Sequence, residues 1–107
     1  MYTRIVECHL IPGKKDEMLS RLMNDVTPVL QSQPGFVDMI GLTDENDPDR
    51  LLAISLWQSK EDAERYHRDH FQMVADIIAP ALKRSPTVQT FTVNTSTAHH
   101  IAAGKAA

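Results

Sequence analysis

The chain alternates between two hydrophobic periods in an order that admits few folds. Tyr2 to Ile11 is rich in β-branched and apolar residues and stops at Pro12-Gly13, which reads as a strand and a turn. Lys14 to Gln33 changes to a helical repeat, with Leu19, Leu22, Met23, Val26, Val29 and Leu30 on one face. Pro28 inside that repeat predicts a kink. Pro34-Gly35 ends it. Phe36 to Thr43 and Leu51 to Trp57 then read as two strands of a hairpin, joined by the polar turn Asp44 to Asp49. Ser59 is a candidate N-cap for a second helix, with Glu61 and Asp62 favourable near its positive end. A break or re-start is expected near Arg68-Asp69-His70, and a bend at Pro80. Pro86 to Asn94 supplies a fourth strand.

The order β-α-β-β-α-β predicts an α+β, ferredoxin-like fold, a four-stranded antiparallel sheet with two helices on one face. Residues 1–94 form that domain. From Thr95 onward the composition collapses to Ala, Thr, Ser, His, Gly and Lys, and 95–107 reads as a poorly packed or mobile tail.

The middle strands are apolar on both sides. Phe36, Ile40 and Leu42 alternate with Val37 and Met39, and Leu52, Ile54 and Leu56 alternate with Leu51, Ala53 and Trp57. A sheet with one wet face should alternate apolar with polar residues. Two helices cover one face, so a second copy of the chain is expected on the other, giving a homodimer.

Composition removes several functions. A net charge of −3 and a pI near 5.9, with no clustered Lys or Arg, argue against a nucleic-acid partner. Cys8 is the sole cysteine, so no intrachain disulfide can form. No apolar run approaches a membrane span, and the start Met1-Tyr2-Thr3-Arg4 is too polar for a signal peptide, so a cytoplasmic location is expected.

Chemistry concentrates on the second helix. Ala63, Tyr66, His67, His70, Phe71, Val74, Ile77, Ile78 and Ala81 recur at three- and four-residue steps. Most of this stripe is ordinary core, but a buried phenol or imidazole needs a partner or a polar cavity. With Trp57 just ahead of the helix, the pattern points to a pocket. His70 or His67 would be a base or hydrogen-bond partner, Tyr66 a donor, and Trp57 and Phe71 walls for a flat ring. The plainer alternative gives each His a structural hydrogen bond and Trp57 a place in the core. His67 and His70 alone do not make a metal site, and His9 and Asp76 lack motif spacing, so no metal is expected. The acidic turn lacks the spacing and central glycine of an EF-hand.

Three stretches together resemble the antibiotic biosynthesis monooxygenase (ABM) superfamily of dimeric α+β barrels: Ile11-Pro12-Gly13-Lys14, Gln33-Pro34-Gly35-Phe36, and Leu56-Trp57-Gln58-Ser59-Lys60-Glu61-Asp62-Ala63 followed by Tyr66-His67 and His70-Phe71. The resemblance covers roughly residues 2 to 94. It implies a barrel-forming dimer and one of several chemistries: cofactor-independent oxidation of anthrones and hydroquinones by O2, haem degradation, or isomerisation of a phosphorylated sugar. Haem degraders carry an Asn, a Trp and a His where this chain has Val6, Tyr66 and Asp76 or Ala75, which argues against that reaction. Either Tyr66 or His67 occupies the family's first pocket position. The resemblance thus implies a monooxygenase that needs no cofactor and acts on a small electron-rich phenolic, quinol or polyketide-like aromatic. The alternatives are a non-enzymatic binding or dimerisation module, or an isomerase that would draw on Arg4, Arg65 and Arg68.

Overall fold

A computed structural model describes residues 1–100 of the 107. Four strands, β1 (Tyr2–His9), β2 (Phe36–Thr43), β3 (Arg50–Trp57) and β4 (Thr87–Thr92), form one antiparallel sheet in the order β2-β3-β1-β4. The ferredoxin-like arrangement read from the sequence is the one observed. Part of the expected tail, residues 101–107, lies outside the described residues.

The first helical segment is interrupted. It runs as α1 (Lys15–Arg21), a π-helical turn Leu22–Val26, and α2 (Thr27–Gln31). Pro28 has no N–H to continue the regular ladder. The expected kink takes the form of a widened turn in which the backbone N–H of Thr27 reaches the Leu22 carbonyl. The Thr27 hydroxyl donates to the same carbonyl at 2.8 Å.

By contrast, α3 (Lys60–Ile78) is unbroken, without the expected re-start near Arg68-Asp69-His70. Its apolar face continues through that stretch, and the exposed Arg68–Asp69 pair disturbs nothing beneath it. The Ser59 hydroxyl caps it, accepting from the Asp62 N–H at 3.2 Å. Pro80 lies in a short 3₁₀ turn, Ala79–Ala81, that closes the helix. Just before β2, Gly35 has φ +78°, and a Cβ there would collide with the Asp62 side chain. That turn therefore requires glycine on both grounds.

Strand alternation sorts side chains to two faces. Arg4, Val6 and Cys8 of β1 point toward the helices, opposite Ser55, Ala53 and Leu51 of β3. The closed part of this layer is built on Leu10, Met18, Val26 and Leu51, all essentially inaccessible. On the other face Ile5, Ile54 and Ile40 lie side by side across three strands, next to Leu52 and Leu42. Ile40 and Leu42 are each 42% exposed and Phe91 46%, an uncovered apolar surface of the kind expected from the sequence. No described helix is long and apolar enough to cross a membrane.

Candidate active site

The polar end of the covered face is built by one strand residue and one helix turn. Arg4 follows the inward phase of Val6 and Cys8, so the pleat carries its guanidinium under α3, where it is 3% exposed. Across from it, Ser55 is also buried and accepts a hydrogen bond from the Trp57 indole N–H at 2.9 Å. From above, α3 lowers Tyr66 and Phe71 onto the guanidinium, whose carbon lies 5.1 Å and 4.7 Å from the two ring centres. Arg4 Nη2 donates to His67 Nδ1 at 2.8 Å. Because a guanidinium has no acceptor, that contact fixes Nδ1 as the unprotonated nitrogen.

The rings form two stacks. Trp57 and Tyr66 lie 5.1 Å apart at 28°, His70 stacks on Tyr66 at 6.5 Å and 20°, and His67 stacks on Phe71 at 5.0 Å and 19°. Phe36 meets the Trp57 indole edge-on at 5.6 Å. Trp57 is wholly buried, with Tyr66, Phe36 and Ser55 packed around it.

Two spaces flank Arg4. The inner one, about 40 Å³, lies between sheet and helices and is walled by Arg4, Ser55, Tyr66, Phe71 and apolar residues including Cys8 and Val26. That is room for a water or two. The outer one, about 350 Å³, is lined by Tyr2, Arg4, Ala63, Glu64, His67, Val88 and Thr90. It lies within the range of small-ligand sites. It exists because α3 packs on β1 and β3, leaving the inward side of β4 beyond the helix layer.

Tyr66 and Phe71 thus reach the inner space and His67 the outer one, while His70 lines neither. Arg65 and Arg68 pair with Asp62 and Asp69 on the exposed side of α3, away from both. No group of three or more His, Cys, Asp or Glu comes together among the described residues, and His9 instead bonds Glu7 at 2.8 Å.

The environment tunes the titrating groups. Burial and the neighbouring Arg4 cation hold the His67 imidazole below its ordinary value, so it is neutral at pH 7. Burial raises the Tyr66 phenol, against the pull of Arg4, and keeps it protonated as a donor. Burial lowers Arg4 itself from a value high enough that it stays charged. The Cys8 thiol is pushed up to about 11, chiefly by burial, which makes it unreactive.

Comparison with known proteins agrees with this architecture. The family model for antibiotic biosynthesis monooxygenase matches residues 1–76. The chain belongs to the ABM family. Among solved structures it is similar to a monooxygenase, ActVA-Orf6 of Streptomyces coelicolor, determined with nanaomycin D (TM-score 0.75, 14% identity, 89% of this chain and 88% of that one). It is similar also to SnoaB, a cofactor-independent oxygenase from Streptomyces nogalater (0.72, 18%, 90% and 96%). A conserved protein from Methanosarcina mazei Go1 has the same fold (0.70, 17%, 85% and 91%). At these identities the likeness is one of fold. No curated protein matches the chain.

Tyr2, Val88 and Thr90 of this ABM protein's outer hollow were not singled out by their sequence, and Arg4 was named only with Arg65 and Arg68 for the isomerase alternative. Arg4 carried a usable signal, since it lies in phase with the buried Val6, Cys8 and Leu10.

Proposed function

We propose that this protein is a cytoplasmic, homodimeric, cofactor-independent monooxygenase that oxidises an electron-rich phenolic, quinol or polyketide-like aromatic with O2. The observation that carries this reading is a neutral imidazole, His67, on the wall of a hollow large enough for an aromatic ring and next to the Tyr66–Phe71 aromatic wall. The family membership, and the fold shared with SnoaB and ActVA-Orf6, support the reaction class.

In such a reaction the substrate supplies the electrons. Its acidic hydroxyl or benzylic C–H gives a proton to a base, and the resulting anion passes an electron to O2. The radical pair combines to a peroxide, which loses water, so one oxygen atom ends in the quinone carbonyl and the other in water. His67 serves as the base, because its neutral form accepts a proton at neutral pH. Tyr66, buried and kept protonated, packs on the Arg4 guanidinium and acts on the substrate through it, positioning the cation that meets negative charge developing there. Phe71 stacks on His67 and fixes the imidazole at the hollow, while Trp57 and His70 stack on Tyr66. The open sheet face, with Ile5, Ile40, Ile54 and Phe91, packs on its counterpart in a second copy.

The test is oxygen uptake by metal-stripped protein on anthrones and hydroquinones, with autoxidation subtracted using His67→Ala and His70→Ala controls. Saturable uptake that falls about 10²- to 10⁴-fold in His67→Ala supports the base, by the usual contribution of a positioned acid or base. Loss in His70→Ala alone would move that role to His70. Background rates on every substrate would sink the oxygenase.

A further inference from the structure

Four arginines of this chain, Arg21, Arg50, Arg65 and Arg68, have a carboxylate within ion-pair distance. All four are more exposed than Arg4, which has none among the described residues. This inverts what desolvation demands, since a cation taken out of water needs a counter-charge more than one left in it. Arg4 donates to a neutral imidazole, and its other close neighbours are the Phe71 ring and the Tyr66 ring with its uncharged phenol, so none of them brings a counter-charge. A guanidinium has five N–H donors, and this one borders both the inner space and the 350 Å³ hollow. The acidic residue on that hollow, Glu64, is exposed and engaged by Lys60 at 3.8 Å. Tyr2 and Thr90 add hydroxyl-bearing side chains to the same wall.

We propose that Arg4 makes the outer hollow an anion-recognition site, whose ligand is an aromatic bound with an ionised oxygen, phenolate or ring carboxylate, on the Arg4 guanidinium. This builds on the reading of the hollow as a substrate site and names the substrate's charge state. The ligand supplies the counter-charge that the fold omits. Arginine suits the task because its planar fork meets two oxygens or two lone pairs at once. When the anion arrives, Arg4 exchanges the His67 contact for it, and His67 Nδ1 becomes free.

The probe for a phenolate is 4-nitrophenol, whose ionised form is coloured, titrated with and without excess full-length protein. Binding at Arg4 should raise its acidity at least tenfold, and Arg4→Gln should abolish the shift. The probe for a carboxylate is benzoate, compared with neutral benzamide by calorimetry on the unaltered protein. This second arm needs no variant, so it stands even where Arg4→Gln fails to fold. Benzoate at least tenfold tighter than benzamide supports the proposal. Benzoate preferred without a shift in nitrophenol assigns the site to carboxylates, and the converse assigns it to phenolates. Equal binding of benzoate and benzamide with nitrophenol held neutral, or no binding of any probe at millimolar concentration, would overturn it. Selective anion binding with background oxygen uptake would sink the oxygenase and leave this site. Saturable uptake with no preference for ionised probes would do the reverse.

Discussion

Strand β1 and Leu10, which follows it, carry one inward alternation, yet the two ends of that row make different things. At the Cys8–Leu10 end the helices close on the sheet, and Leu10, Met18, Leu51 and Ala81 exclude solvent completely. At the Arg4 end, two residue pairs away, the same row meets Ser55, Tyr66 and His67, and a hollow opens beside it. The difference lies in what each end must satisfy. An apolar row is stabilised by closing, whereas a guanidinium forces the structure to retain polar neighbours and space. One end carries stability and the other carries the cost of a site.

The sharpest way to separate the ends is to damage each. Leu10→Ala should destabilise the protein by about 2–5 kcal/mol, the usual loss for a fully buried leucine, read as a lowered denaturant midpoint. Ligand binding at the Arg4 end should be unchanged under conditions where the variant is folded. A loss of benzoate binding in the folded variant would show that the two ends are not separable.

Ser55→Ala should cost less, about 1–3 kcal/mol, by leaving the buried Trp57 indole N–H without its acceptor. Trp57 emission should shift as well, because its hydrogen bond is lost. A near-neutral result would mean that the inner space already supplies a water to the indole.

Arg4→Met should go the other way. Replacing an uncompensated buried cation by an apolar chain of similar length should leave stability unchanged or raise it by about 1 kcal/mol. Anion binding should vanish. Stability gained where function is lost is the usual mark of a site maintained against the fold's own interest. A large destabilisation instead would mean that Arg4 is a structural pillar, held by Tyr66 and Phe71, and would blur the comparison.

How much of this was legible follows the same division. Strand β2 runs from Phe36 to Thr43 as read, because Pro34-Gly35 and the Asp44–Asp49 turn bracket it with residues whose backbone preferences are strong. The Ser59 cap was legible for the same reason. The form of the Pro28 irregularity was not, since a missing donor can be accommodated by a kink, a break or a π turn, and packing chooses among them. Nor was the outer hollow. It depends on where α3 lies across the sheet, and on an arginine whose strand phase says buried while its charge says exposed. His67 and His70, three residues apart, diverge by about 60° on the helix. That angle puts one on the hollow and the other against the Tyr66 ring.

The smallest effect tests whether Arg4 and His67 act as one unit. Burial and the adjacent cation both hold His67 below the ordinary imidazole value of about 6.5. As pH falls through about 6.5 the unfolded chain takes up the proton first, so the native state loses stability from there down to the folded value and no further below it. His67 is largely exposed, so the energy at stake is small and the titration itself is the better readout. Followed by the imidazole proton resonances, the His67 midpoint should lie below the ordinary value in the unaltered protein. Arg4→Gln should move it upward but not fully back, because burial by Phe71 and the sheet remains while the cation is gone. A midpoint indifferent to Arg4 would mean that the 2.8 Å contact does not persist in solution. The polar end would then be an isolated buried cation beside an independent histidine.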